Sequence, residues 1–79
     1  MEGSVFNIKF SNNDKMFSLI DGLINAIEKA KKFVIDSNVE WETVSIYDSY
    51  NDELVYKMSF QKDMFSNGGD WSTIPNSEW

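Results

Sequence analysis

The 79-residue sequence contains no cysteine, no histidine and no arginine, and it has a single proline. Without cysteine, disulfides and thiolate metal sites are excluded. Without histidine, the usual general base and the commonest transition-metal ligand are missing, and neither a Ser-His-Asp nor a Cys-His catalytic set can be assembled. We therefore expect a protein that is not an enzyme and that uses no cofactor or metal.

Long hydrophobic runs are also lacking. No apolar stretch approaches the ~20 residues that a membrane-spanning helix needs. The first four residues, MEGS, show neither the charged nor the apolar region of a signal peptide. We expect a cytoplasmic protein with no membrane contact, and a chain of this length is expected to form one domain.

The most periodic stretch lies between Ser11 and Asn38, and it predicts one long helix. Its apolar residues recur at spacings of four and three, which is typical of a helix with one face turned to a core. Asp14 suits the start of such a helix, and Asp36 to Asn38 can end it. Gly22 falls on the polar side, either as a tolerated loss or as a point of close approach. The apolar face comprises Met16, Ile20, Leu23, Ile27, Ala30 and Val34.

Three other segments alternate between apolar and polar residues and predict strands at Val5–Ser11, Val39–Asp48 and Glu53–Phe60. The order is β-α-β-β. The expected fold is α+β, a two-layer sandwich in which the helix packs on a three-stranded, mainly antiparallel sheet. We place the third predicted strand in the middle, because every pairing is then antiparallel.

From Gln61 onward the alternation is lost. We predict a β-α-β-β domain at residues 1–62 and an irregular aromatic tail at residues 63–79, with a turn-rich run at 66–69. Three interpretations account for Trp71 and Trp79 in this tail. The tail covers the open sheet face over Trp41 and Tyr47, or its tryptophans contact a partner, since tryptophan is enriched at interface hot spots. In the third, one tryptophan packs on the fold and the other contacts a partner.

The net charge of −6 is unevenly distributed along the sequence. Residues 1–38 carry five acidic residues and five lysines, whereas residues 39–79 carry eight acidic residues and two lysines. Such a field disfavours direct nucleic-acid binding, which depends on neutralising phosphates. It favours a basic protein surface as partner. The alternative is that the acidic residues only keep a small protein soluble.

Two acidic groups have further interpretations. The side chains of Asp48, Asn51, Asp52 and Glu53 carry oxygens that suit a hard cation, but their spacing does not match a calcium loop, and a polar turn is the better interpretation. Glu40 and Glu42 are explained either as partner contacts or as charges that protect an edge strand from aggregation.

In composition the chain resembles the short, acidic, cysteine-free proteins rich in Asn, Lys and Ser that bacteriophages and mobile elements encode to disable a host protein. That resemblance implies a protein-binding inhibitor in the host cytoplasm. Its target would be a nuclease, a defence effector or a transcription protein, bound through carboxylates that mimic nucleic acid and through aromatic anchors. The alternative is a self-associating structural module, a homodimer. The predicted partner-binding residues are Glu40, Trp41, Glu42, Tyr47, Asp48, Tyr50, Asp52, Glu53, Trp71 and Trp79.

Overall fold

The computed structural model describes residues 4–63 and 69–79, and this part of the chain contains five strands and one α-helix. The α+β class predicted from the sequence is confirmed, but the sheet has five strands where three were expected. The elements are β1 (Val5–Phe10), β2 (Met16–Asp21), α1 (Leu23–Ser37), β3 (Trp41–Asp48), β4 (Leu54–Lys62), β5 (Gly69–Thr73) and a 3-10 turn (Asn76–Glu78).

The core lies between α1 and one face of the sheet. Alternate residues of β1, β3 and β4 point toward the helix, as their apolar periodicity predicts. The helix packs across β2, β1 and β3, and Ala26 and Ala30 are fully buried. These small side chains let the helix backbone lie close to the sheet. The buried core comprises Phe6, Ile8, Phe10, Ala26, Ala30, Val34, Val44, Ile46, Met58 and Phe60.

The predicted helix start at Ser11 is wrong, because Met16–Asp21 forms strand β2 and the helix begins only at Leu23. The cause is a bulge in β2. Phe6 and Ile8 of β1 pair with Ile20 and Phe17, so the extra residue places two core-facing side chains three positions apart instead of two. A spacing of three is also the helical spacing, and the sequence pattern therefore continued into the true helix without a visible break.

Gly22 marks the junction between β2 and α1. Its φ of 90° lies in a region that residues with a Cβ rarely adopt, so glycine suits this position for its backbone freedom. This replaces both sequence-based explanations of Gly22, which placed it inside a helix. At the other end, Asn38 adopts a left-handed conformation, and its N–H donates to the carbonyl of Ile35 at 3.2 Å. The predicted helix end is confirmed.

The predicted strand order is also wrong. The observed order is β2-β1-β3-β4-β5, and every neighbouring pair is antiparallel. The prediction assumed that the helix crossover starts from β1 and returns the chain parallel to it. Because β2 first reverses the chain, the crossover through α1 brings β3 back antiparallel to β1, and the two strands can pair directly.

The predicted irregular tail is replaced by β5 and the 3-10 turn. Strand β5 pairs with β4, and the Trp71 ring lies 4.8 Å from the ring of Phe60 on the helix side of the sheet. Trp71 therefore lies on the opposite face from Trp41 and Tyr47, which it was expected to cover. The predicted turn at 66–69 lies outside the described residues, except for Gly69. At Gly69 a Cβ would lie 2.4 Å from the Phe60 ring, so a close approach requires glycine.

Candidate partner-binding surfaces

The loop between β3 and β4 is held by hydrogen bonds from its own residues. The N–H of Asp48 donates to the carbonyl of Glu53 at 2.8 Å, and the N–H of Asp52 donates to the carbonyl of Asp48 at 2.7 Å. Side chains complete the turn, since Asp48 Oδ1 accepts from the N–H of Tyr50 and Asn51 Oδ1 accepts from the N–H of Glu53. The Tyr50 side chain is left 96% exposed at the end of a braced loop.

Four carboxylates lie at the same end of the sheet as this exposed tyrosine. Asp48, Asp52 and Glu53 belong to the loop itself, and Asp21 ends β2 at the same end of the sheet, because Asp21 and Asp48 pair with the consecutive β1 residues Val5 and Phe6. Within residues 4–63 and 69–79, none of these four carboxylates takes part in an ion pair. We call Asp21, Asp48, Tyr50, Asp52 and Glu53 the hairpin tip. In the described part of the chain it is a negative surface without ion pairs, and it includes one exposed aromatic side chain.

Glu42, unlike the residues of the hairpin tip, is buried. Its side chain is only 1% exposed, because it points to the same side of β3 as Val44 and Ile46. Its Oε1 accepts from the N–H of Ser11 at 2.8 Å, the Ser11 hydroxyl at 2.7 Å, the N–H of Asn12 at 2.9 Å and the N–H of Thr43 at 2.8 Å. This carboxylate is used inside the fold. We therefore leave Glu42 out of the proposed partner contacts.

The remaining predicted residues lie on separate surfaces. Glu40 and Trp41 are exposed at the start of β3, and the eight-residue separation of Glu40 from Asp48 corresponds to roughly 26 Å of extended chain. Glu40 therefore lies far from Asp48, Asp52 and Glu53. The sequence had grouped these four acidic residues as one partner-binding set. Tyr47 lies on the open sheet face with the Lys9 ammonium 4.8 Å from its ring centroid.

The two C-terminal tryptophans are both held by the fold. Trp71 packs on Phe60 and lies under the Lys31 ammonium, 5.6 Å from its ring centroid. The indole N–H of Trp79 donates to the carbonyl of Ile74 at 3.0 Å, and its side chain stays partly exposed. The structure thus brings together only Asp48, Tyr50, Asp52 and Glu53 of the predicted partner-binding set.

Sequence reasoning missed two features of these surfaces. The burial of Glu42 had a signal, since Glu42 is in phase with the buried alternation of Val44 and Ile46. The side chains that β5 adds to the open face had no such signal, because Asp70 and Ser72 are not typical strand residues and the strand has only five residues.

Comparison of the chain with protein-family models, with curated proteins and with solved structures finds no match. Among the residues that the structure describes, no helix is long and apolar enough to cross a membrane. The same residues contain no group of three or more acidic side chains arranged to hold a metal ion.

Proposed function

We propose that this chain is a non-enzymatic protein-binding inhibitor that engages a basic surface of its target with the hairpin tip. The observation that carries the proposal is the exposed Tyr50 on a hydrogen-bonded loop, at the same end of the sheet as four carboxylates that form no ion pair within residues 4–63 and 69–79. Tyrosine supplies contact area at a low cost in conformational entropy. The carboxylates steer a basic partner and resemble the phosphates that a nucleic-acid-binding protein recognises.

The compositional resemblance supports a target of the nucleic-acid-handling kind, such as a nuclease, a defence effector or a transcription protein. It also supports action in the cytoplasm of a bacterial host. Direct binding of nucleic acid is not part of the proposal, because the tip would repel phosphates.

The test is affinity capture from a bacterial lysate, followed by binding measurements with the purified target. The double variant Asp21→Lys/Glu53→Lys reverses two tip charges and should weaken binding at low salt by about tenfold or more. The control, Glu28→Lys/Asp36→Lys, changes the net charge equally on the exposed side of α1. It gives up the exposed ion pair of Asp36 with Lys32, which contributes little to stability. Tyr50→Ala should weaken binding with little change in its salt dependence. Equal affinity of the two double variants would contradict the proposal.

The alternative is a self-associating module, and one observation favours it: Met16 and Leu19 are exposed apolar residues on edge strand β2. Two features oppose pairing through the sheet edges. The bulge in β2 interrupts a regular edge, and β5 is short and followed closely by Pro75. Sedimentation over a range of protein concentrations distinguishes the two, since a module of this kind would show a dimer that weakens on truncation after Lys62.

A further inference from the structure

The open face of the sheet contains a recess of about 670 Å³ at the end opposite the hairpin tip. Strands β3, β4 and β5 form its floor, and their register places side chains in two rows. Trp41, Gln61 and Asp70 make one row, and three hydroxyl residues make the next. The lining includes Trp41, Thr43, Ser59, Gln61, Asp70 and Ser72, together with Lys62 and Asp63.

The first row combines an aromatic face with a carboxylate. Trp41 is 52% exposed, and Asp70 lies two strands away, so the two Cα atoms are separated by about 10 Å. A separation of this size leaves room for a planar cation. It can stack on the indole and donate hydrogen bonds to the carboxylate of Asp70 and the amide oxygen of Gln61.

The lining also argues against other ligand classes. The hydroxyl row of Thr43, Ser59 and Ser72 makes the floor too polar for an apolar ligand. The carboxylate of Asp70 repels phosphate. Among the described residues that line the recess, the one cation is Lys62, and it is engaged at the helix end, since its Nζ donates to Asn38 Oδ1 at 2.7 Å. Arginine fits better than lysine, because its guanidinium is planar and presents several donors in a fork.

We propose that this recess binds an arginine side chain of the basic partner, stacked on Trp41 and paired with Asp70. The proposal rests on the proposed function for the source of the arginine. It adds a second contact, far from the hairpin tip, that recognises the shape of the cation as well as its charge. The hairpin then meets its partner at both ends.

The recess can be tested without the partner. The probe is N-acetyl-arginine amide, titrated into the ¹⁵N-labelled full chain and followed by NMR. Saturable shifts are expected at the Trp41 indole N–H and at the amides of Gln61, Asp70 and Ser72. N-acetyl-citrulline amide has nearly the same shape without the charge, and N-acetyl-lysine amide has the charge without the planar fork. Each should bind at least about fivefold more weakly.

Two variants locate the site. Asp70→Asn and Trp41→Leu should each weaken arginine binding by about fivefold, whereas Asp52→Asn at the hairpin tip should leave it unchanged. Asp70 is exposed, so Asp70→Asn keeps the test valid if Trp41→Leu does not fold. Absence of saturable shifts, equal binding of citrulline, or an equal effect of Asp52→Asn would each overturn the inference and leave the hairpin-tip proposal untouched. Conversely, the tip variants could bind the target as tightly as the unchanged protein while the recess still binds arginine. That result would contradict only the proposed function.

Discussion

The buried carboxylate of Glu42 offers the sharpest test of how this fold is held together. Glu42→Ala removes the acceptor for four donors on the loop after β1 and on β3. Some of these donors keep a second partner, because the N–H of Ser11 also donates to the carbonyl of Thr43 and the N–H of Thr43 also donates to the Ser11 hydroxyl. Asn12 is exposed, so water can reach its N–H.

The expected cost follows from these partners. A hydrogen bond to a charged group contributes about 1.5–3 kcal/mol, and the variant loses the equivalent of one to two such bonds. We therefore expect the free energy of unfolding to fall by about 2–4 kcal/mol. A chain of this length has a total of roughly 4–12 kcal/mol. The melting temperature should fall by more than about 10 °C.

The assay is urea unfolding followed by circular dichroism, with Glu40→Ala as the matched control. Glu40 is a neighbouring, exposed glutamate, and its replacement should change the free energy of unfolding by less than about 0.5 kcal/mol. Acetate should restore part of the lost stability in Glu42→Ala by occupying the vacated N–H groups, and it should not affect the control. If the two variants lose the same stability, Glu42 is not the structural residue described here.

Three further changes test other parts of the structure. Leu19 is 69% exposed with a φ of 59°, so Leu19→Gly should raise the free energy of unfolding by up to about 1 kcal/mol by removing left-handed strain; a lower value measured by urea unfolding would contradict the bulge geometry. Gly69→Ala should lower it by about 1–3 kcal/mol, because the added Cβ meets the Phe60 ring and the carbonyl of Gln61; an unchanged unfolding curve would argue against the β4–β5 pairing. Asp52→Gly keeps a residue suited to the φ of 61° at the hairpin tip, so the stability should hold while target binding at low salt weakens; unchanged binding would remove Asp52 from the contact surface.

The strands that the sequence predicted well are those with regular alternation. In β1, β3 and β4 the core side chains fall at every second position, and Phe6, Ile8, Val44, Ile46 and Met58 are all buried as their spacing indicates. The last turns of α1 were also predictable, because Asn38 is a residue that tolerates the left-handed conformation at a helix end.

The parts that were missed depend on contacts between distant segments. Because of the bulge, the core-facing residues of β2 have a helical spacing. No local feature of the sequence distinguishes Phe17 and Ile20 from two residues one turn apart on a helix. The wrong prediction of the strand order followed from that error, since strand β2 reverses the direction in which the chain enters the crossover. Strand β5 is stabilised by pairing with β4 and by the contact of Trp71 with Phe60, which a single-segment pattern does not contain.

The candidate site was predictable in part. The acidic and aromatic character of the β3–β4 hairpin was visible in the sequence, but its division between two ends was not. The alternation with Val44 and Ile46 already indicated that Glu42 turns inward, whereas only the strand register shows that Trp41 shares a row with Asp70.

The contact between Glu42 and the loop after β1 also bears on how the chain folds. Ser11 and Glu42 are 31 positions apart, and the pairing of β1 with β3 encloses the whole of β2 and α1. The β1–β2 and β3–β4 hairpins can form from local contacts, whereas joining them requires closure of this long loop. We therefore expect the pairing of β1 with β3 to be the rate-limiting step of folding. Substitutions at Ile8 or Ile46 should slow folding, and those in β5 should mainly speed unfolding.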